Sequence, residues 1–229
     1  LVNYILLLFA LLHLALLAWT FNRGVAVPAR LWLLRLLLMG MCYDNLVQGL
    51  GNWFMDASWY AGANTPRFLL HASLLPFLTI FGLSVMRDAG AALAHNLAVV
   101  VFCWLFTLAA LAWGLYHEVY LLQLGPKPAL GVLKLGNVSG MPPIATILTS
   151  LLALPIAASV WKASGWRWFF LGALFIFVVN GATGGSKPWG FLAGNFAELL
   201  FILSLLATER RFSTAAPPAN APSARIPQQ

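Results

Sequence analysis

Ionisable side chains interrupt several strongly apolar stretches of this chain, where an isolated charge would be costly. A charged group inside a bilayer has to be paired or hydrated, and such groups commonly mark sites of proton transfer or substrate binding. A topology drawn from hydropathy and loop charge brings these residues to one membrane leaflet. They are Asp44, Arg67, His71, His117, Glu118 and Glu198. Their convergence at one depth predicts a functional site.

The two deepest of these residues are carboxylic acids, which suit acid–base chemistry. At a rise of about 1.5 Å per residue, Asp44 lies roughly 10 Å and Glu198 roughly 13 Å below the outer helix ends. A protonated acid in a dry aromatic cavity can protonate an alkene or epoxide, and a neighbouring base can later remove a proton. Aromatic faces stabilise a carbocation between those steps. We therefore predict that Asp44 and Glu198 are catalytic and act on a lipid or isoprenoid.

Other polar residues on the same helices are candidates for binding and positioning. Asn45 on the second helix and Asn195 on the last helix are predicted to orient the two acids. Arg67 and His71 are spaced i, i+4 on the third helix and are predicted to bind a polar headgroup above the acids. Three more residues near this boundary are possible members of the site: His117, Glu118 and Asn180.

Composition sets the class of protein. Of 229 residues, 61% are hydrophobic and 8% are charged, whereas soluble domains carry about 25% charged residues. The formal charge of +7 does not indicate a nucleic-acid partner, because Lys and Arg lie in short loops and at helix ends. The sequence has no Gly-rich nucleotide-binding motif and no HExxH motif, so no cofactor is predicted.

The apolar stretches predict an all-α, polytopic membrane protein with seven transmembrane helices in residues 1–212. A span needs about 20 mainly apolar residues, and Thr65 followed by Pro66 is typical of a helix start, here that of the third helix. Residues 213–229 form a Pro/Ala-rich tail that we expect to be disordered. The predicted helices are residues 2–20, 31–50, 68–86, 97–116, 144–161, 168–180 and 189–208.

Basic residues are unevenly divided between the two ends of the predicted bundle. Four lie at one end: Arg67, Lys127, Lys134 and Lys187. Eight lie at or near the other: Arg23, Arg30, Arg35, Arg87, Lys162, Arg167, Arg210 and Arg211. Because positive loops stay in the cytoplasm, the N-terminus is predicted outside and the C-terminus inside. A bacterial inner membrane or a eukaryotic endomembrane is the expected location.

The two longest connections lie at the predicted outer end. Residues 51–66 and 118–143 are rich in Gly and Pro, as loops that cover a cavity tend to be. With the acids below and Arg67 and His71 above, the sequence predicts a pocket that opens outward, acidic at its floor and basic at its rim. The expected partner is a membrane lipid or another lipophilic molecule.

Small residues on the last helix predict a close helix contact. Gly190 and Gly194 form a GxxxG pair that lets another helix approach closely. The neighbour is either a helix of the same bundle or a second copy in a homo-oligomer.

Other interpretations of the polar residues stay open at this point. A divalent metal held by His71, His117, Asp44 and Glu198 would fit a membrane lipid hydrolase, and a haem between the two histidines is a weaker variant. A non-enzymatic carrier would use the same residues to bind a lipid or solute. In an accessory subunit, Asp44 would pair with Arg67 to hold two helices together.

The layout resembles the small seven-helix integral-membrane terpene cyclases of meroterpenoid and indole-terpenoid pathways. The resemblance covers the chain length, the helix count and two acids, one after an aromatic residue in the second helix and one in the last helix. The matching positions are Tyr43-Asp44 and Glu198. The resemblance implies proton-initiated cyclisation of a prenylated substrate.

Overall fold

The computed structural model describes residues 1–22, 28–127, 130–183 and 187–213. Within them the chain is a bundle of helices with one small β-hairpin, so the all-helical prediction is confirmed. Except for Ser213, the predicted tail lies outside the described residues. The α-helices are α1 (Val2–Phe21), α2 (Ala29–Phe54), α3 (Tyr60–Leu74), α4 (Leu78–Asp88), α5 (Leu97–Gly114), α6 (Ile144–Ser164), α7 (Trp168–Thr183) and α8 (Gly190–Ser213).

Shorter elements extend or join these helices. A 3₁₀ turn (Leu75–Phe77) links α3 to α4, so the two form one rod with a break at Pro76. A second 3₁₀ turn (Ala92–His95) precedes α5, and a π-helix (Leu115–Tyr120) continues it. The strands β1 (Leu124–Pro126) and β2 (Leu135–Asn137) pair in antiparallel register.

Five helical stretches are long and apolar enough to cross a membrane: Val2–Phe21, Tyr60–Asp88, Leu97–Tyr120, Ile144–Ser164 and Gly190–Ser213. Their length and composition indicate an integral membrane protein. The other two predicted spans coincide with α2 and α7. α2 is long but less apolar, because it carries Arg30, Arg35 and Asp44, and α7 has only 16 residues. Seven spans and their orientation therefore remain a prediction.

The third helix begins earlier than predicted. We placed its start at Thr65 and Pro66, but α3 begins at Tyr60 and Pro66 lies inside it. The added first turns are fixed by burial and hydrogen bonds, since the Tyr60 hydroxyl donates to the carbonyl of Val47 at 2.9 Å. The Asn64 amide also donates to the carbonyl of Tyr60 at 2.8 Å. Tertiary anchoring therefore overrides the local Pro signal, and only residues 55–59 connect α2 to α3.

Buried side chains of α2, α4, α7 and α8 form the apolar core. α2 contributes Leu34 and Leu38, and α8 contributes Ile202, all fully buried. Phe81 of α4 meets Phe169 of α7 edge to face, with 5.9 Å between ring centroids. Such edge-to-face pairs add stability beyond the area they bury. The core holds α2, α4, α7 and α8 in fixed register, which positions the polar residues above it.

The two ends of the bundle differ in structure. The hairpin end holds the hairpin, the end of α2 and the start of α3 and α8. The opposite end, here called the basic end, holds the start of α2 and α7 and the end of α4, α6 and α8. Arg23, one of the eight basic residues assigned there, lies outside the described residues, and the other seven keep the predicted charge difference between the ends.

Candidate acid–base site

An ion pair joins α2 to α3 inside the hairpin end. Arg67 Nε lies 2.7 Å from Asp44 Oδ1, and the two side chains are only 9% and 7% exposed. Gln48, one turn beyond Asp44 on α2, donates from Nε2 to Asp44 Oδ2 at 2.5 Å. Both carboxylate oxygens of Asp44 are therefore engaged. This arrangement is that of a helix-joining pair, and it leaves Asp44 poorly placed for proton transfer.

The same polar cluster is tied to the hairpin. Arg67 Nη1 donates to Asn64 Oδ1 at 2.6 Å and to the carbonyl of Leu135 at 3.0 Å. Lys134 Nζ donates to Gln48 Oε1 at 3.0 Å and lies 3.9 Å from the ring centroid of Phe191. The hairpin thus supplies a carbonyl and an ammonium group to a network centred on Asp44 and Arg67.

The hairpin also lies directly against the end of α2. Asn52 Oδ1 accepts from the amide of Leu133 at 2.6 Å, and Asn52 Nδ2 donates to the carbonyl of Gly131 at 3.0 Å. A Cβ on Gly51 would lie 1.8 Å from the Leu133 carbonyl oxygen, so only glycine allows this approach. Residues 124–127 and 131–137 therefore pack onto the end of α2 and the Asp44–Arg67 pair, where we predicted a pocket open to the outside, and are here called the lid.

His71 and Glu198 form a second pair, between α3 and α8. His71 Nε2 lies 3.8 Å from Glu198 Oε1, and the side chains are 27% and 19% exposed. His71 Nδ1 lies 3.2 Å from the carbonyl of Arg67. Because a carbonyl only accepts, Nδ1 carries the hydrogen and Nε2 faces the carboxyl group. A proton can then be held by either partner, which is the property of an acid–base pair.

Several buried polar atoms near this pair have no hydrogen-bond partner in the described part of the chain. They are Glu198 Oε2, Glu118 Oε1 and Asn195 Nδ2. Glu118 is within electrostatic range of His71, and Asn195 precedes Glu198 by three residues on α8. Buried polar atoms are nearly always satisfied by protein, water or ligand. This half of the cluster is therefore incomplete, unlike the Asp44–Arg67 half.

A small space adjoins His71 between α2 and α3. Its volume is about 10 Å³, and Gly40 and Leu70 are among its lining residues. That volume is close to the minimum for one water molecule. The space is large enough for one water molecule at His71, and a lipid could enter only if neighbouring helices moved.

Two further predicted site residues, Asn45 and His117, make contacts outside the two pairs. Asn45 is fully buried, but its amide donates to the carbonyl of Met41 at 2.9 Å, and Gln48 takes the place at Asp44 that we assigned to Asn45. The His117 ring packs against that of Trp113 in a tilted arrangement, with 4.1 Å between ring centroids. It is held as part of an aromatic group on the π-helix.

The glycine pair of α8 receives α7 of the same chain. A Cβ on Gly190 would lie 2.3 Å from the Thr183 carbonyl oxygen, and one on Gly194 would lie 3.1 Å from Asn180 Oδ1. The close helix contact is therefore intramolecular, with the exposed Asn180 at its edge. A homo-oligomer through these glycines stays an untested prediction.

The sequence also left open a metal site formed by histidines and acids. In the described ranges no three His, Cys, Asp or Glu side chains group as a metal site would require. The positions of these side chains add no support to the metal and haem interpretations, which stay predictions.

The sequence analysis assigned no site role to three residues of the cluster: Gln48, Asn64 and Lys134. Gln48 and Asn64 carried a usable signal, because they lie four residues after Asp44 and three before Arg67 on the same helical faces. Lys134 carried none, since only the folding of the hairpin brings it to Gln48.

A separate ion-pair cluster at the basic end was also missed. Arg30 contacts Asp88 and places Nε 2.8 Å from Glu209 Oε2. Glu209 is 1% exposed and also accepts a hydrogen bond from Ser213. An acid near the end of the last apolar stretch is usually solvated, and the fold buries this one instead.

The buried ammonium group of Lys134 predicts that the stability of the fold depends on pH. Burial, together with the nearby positive charge of Arg67, lowers the pKa of Lys134 to about 8, whereas an unperturbed lysine has a pKa of about 10.4. Between these values the unfolded chain binds more protons, so stability from this group rises with pH across that window. We expect the melting temperature of the wild type to rise by a few degrees relative to Lys134→Met between pH 7.5 and 10, measured by thermal unfolding in detergent.

The exposed Lys187 at the same end of the bundle provides the control, because it is not among the charges that act on Lys134. The difference in melting temperature between wild type and Lys187→Met is expected to stay constant over this pH range. A constant difference for Lys134→Met as well would show that the Lys134 ammonium group is solvated and that the lid is not closed over it.

Fold and site together define an integral membrane protein of the helical-bundle class, with a lidded polar cluster at one end. Comparison with models of protein families, with curated proteins and with solved structures gave no match.

Proposed function

We propose that the chain is a membrane enzyme in which His71 and Glu198 exchange protons with a lipophilic substrate. The observation that carries the proposal is the incomplete pair: an acid and a base 3.8 Å apart, with the second oxygen of Glu198 buried and unpartnered in the described part of the chain. A substrate atom or water placed there would complete the hydrogen bonding. Substrate enters from the bilayer, and seven spans with the N-terminus outside would place the site in the outer leaflet.

The proposed residue roles follow from which polar atoms already have partners and which do not. Glu198 gives its proton to a double-bond carbon of the substrate, and His71 Nε2 removes a proton from a neighbouring carbon of the resulting cation. Transfer of that proton from His71 to the Glu198 carboxylate restores both groups. Asn195 and Glu118 bind the polar part of the substrate through their buried amide and carboxyl atoms. Asp44, which we predicted as a catalytic residue, instead fixes Arg67 and so sets the position of the His71 helix. The resemblance to seven-helix terpene cyclases favours an isoprenoid and a cyclisation or isomerisation.

The lid has to move for such a substrate to bind. The space beside His71 is about 10 Å³, far below the several hundred Å³ typical of ligand pockets. The contact of Lys134 with Gln48 and those of Asn52 with the hairpin would break on opening. Closure after binding would exclude water from the acid–base step, as lids commonly do.

Deuterium incorporation tests the proposal while the substrate is still unidentified. The purified protein is incubated with a total lipid extract of its source cells in D₂O, and lipids are compared by mass spectrometry. An enzyme that protonates carbon and then deprotonates it introduces deuterium into its product. We expect Glu198→Gln and His71→Gln to lower this turnover by about 10²-fold or more, the size of a lost acid–base group.

Asp56→Asn is the matched control, because Asp56 is an exposed acid at the same end of the bundle. It should keep full turnover. The proposal fails if the wild type incorporates no deuterium, or if Glu198→Gln is as active as the wild type.

An accessory or scaffolding role is the second candidate, favoured by the fully engaged Asp44–Arg67 pair. In that case His71→Gln and Glu198→Gln would lower the melting temperature, and no lipid would be converted. An enzyme should keep its melting temperature close to that of the wild type in the same two variants.

A further inference from the structure

An apolar groove runs between α7 and α8 at the basic end, away from the acid–base site. Its volume is about 730 Å³, and its walls include Trp168, Phe175, Leu200, Leu203 and Ala207. The two helices touch at its floor, where a Cβ on Gly172 would lie 2.1 Å from Ser204 Oγ. Close contact at the floor and large side chains on both sides make the groove.

The polar groups at this groove already have partners. The Ser204 hydroxyl donates to the carbonyl of Phe201 at 2.7 Å, and the Trp166 indole N–H donates to Thr208 Oγ1 at 3.0 Å. The walls therefore offer almost only apolar contact to an occupant. In a bilayer, a hydrocarbon chain is the occupant that suits such walls.

The mouth of the groove is basic. The guanidinium group of the exposed Arg167 lies 5.8 Å from the ring centroid of Trp168, which lines the groove. Lys162 is in the last turn of α6, and Arg210 and Arg211 are in the last turn of α8. Glu209, the acid at this end of α8, is paired with Arg30. An anionic group is therefore favoured at the mouth.

We propose that this groove binds an anionic glycerophospholipid of the leaflet at the basic end. One acyl chain lies between α7 and α8, and the phosphate lies at Arg167 beside Trp168. The groove shares no residue with the His71–Glu198 pair, so this site and the proposed enzyme activity can be tested separately.

Native mass spectrometry of the detergent-solubilised full chain tests this site. The protein is titrated with dioleoyl-phosphatidylglycerol or with dioleoyl-phosphatidylcholine. We expect tighter binding of phosphatidylglycerol, and Arg167→Gln should weaken that binding about fivefold, the effect of one basic residue at a lipid headgroup. Binding of phosphatidylcholine should not change in this variant. Leu203→Trp, which fills the groove, should weaken both lipids.

Two substitutions serve as matched controls. Lys187→Gln removes an exposed lysine at the hairpin end, and Leu148→Trp enlarges an exposed leucine on α6. Neither should change lipid binding. Equal affinity of the wild type for both lipids would overturn the proposed preference for an anionic headgroup. So would an Arg167→Gln variant that binds phosphatidylglycerol as tightly as the wild type does. Unchanged binding in Leu203→Trp would overturn the groove as the acyl-chain site.

Discussion

Arg67→Gln is expected to lower the free energy of unfolding by about 3–5 kcal/mol, the cost of leaving one member of a buried ion pair alone. Asp44 is 5% exposed, and Arg67 supplies its ionic contact at 2.7 Å. The substitution also removes the bond from Arg67 to the carbonyl of Leu135, so the lid should loosen. Unfolding by SDS in mixed micelles measures the change.

A double variant separates the lost charge pair from general damage. Asp44→Leu together with Arg67→Met removes both charges, so neither is left isolated in the bundle. Replacing a buried pair by apolar residues is often neutral or stabilising, and we expect the double variant to regain most of the loss. Lys127→Gln, at an exposed position, should change stability little. A loss below about 1 kcal/mol in Arg67→Gln would mean that water reaches the pair, as at a protein surface.

The polar cluster therefore has two halves, and substitutions in each half are expected to have different effects. The Asp44–Arg67 half is saturated with partners from α2, α3 and the hairpin, and its loss should be seen in stability. The His71–Glu198 half keeps buried atoms without a partner in the described residues, and its loss should be seen in chemistry. Arg67 joins the halves, because its carbonyl accepts from His71 Nδ1 while its side chain holds Asp44. Leu135 of the lid is thus connected to His71 through Arg67.

The sequence predicted the bundle well because apolar length is a local property. The predicted helices 2–20 and 189–208 correspond to α1 and α8 with small shifts at their ends. The start of the third helix was wrong, because burial of Tyr60 against α2 outweighs the local preference of Thr65 and Pro66. The hairpin was missed, since its strands are three residues long and are held by contacts with α2 distant in sequence.

The candidate site was predictable in part for the same reason. Hydropathy and helix spacing placed Asp44, Arg67, His71 and Glu198 at one end of the bundle, and the structure brings them together there. Which residue pairs with which depends on helix rotation, which no local signal contains. Asp44 and Glu198 were expected to act together, yet each takes its partner from α3.

The ion-pair cluster at the basic end gives the second large expected effect. Arg30→Gln should lower the free energy of unfolding by about 3–5 kcal/mol, because it leaves the Glu209 carboxylate buried without this ion pair. Glu209 is 1% exposed, and Arg30 Nε lies 2.8 Å from its Oε2. Arg30→Lys keeps the positive charge but loses the planar guanidinium group that contacts both acids. We therefore expect a loss in the free energy of unfolding that is smaller than that of Arg30→Gln.

Asp88 is the matched control within the same cluster. Its side chain is 44% exposed and contacts the same Arg30, so the two acids differ mainly in burial. Asp88→Asn should cost less than about 1 kcal/mol, as exposed ion pairs contribute little. The same SDS titration compares the variants. If Asp88→Asn and Arg30→Gln lower stability equally, burial of Glu209 is not the source of the effect. A large loss confined to Arg30→Gln assigns the stability of this end to the buried Arg30–Glu209 pair, which ties the start of α2 to the end of α8.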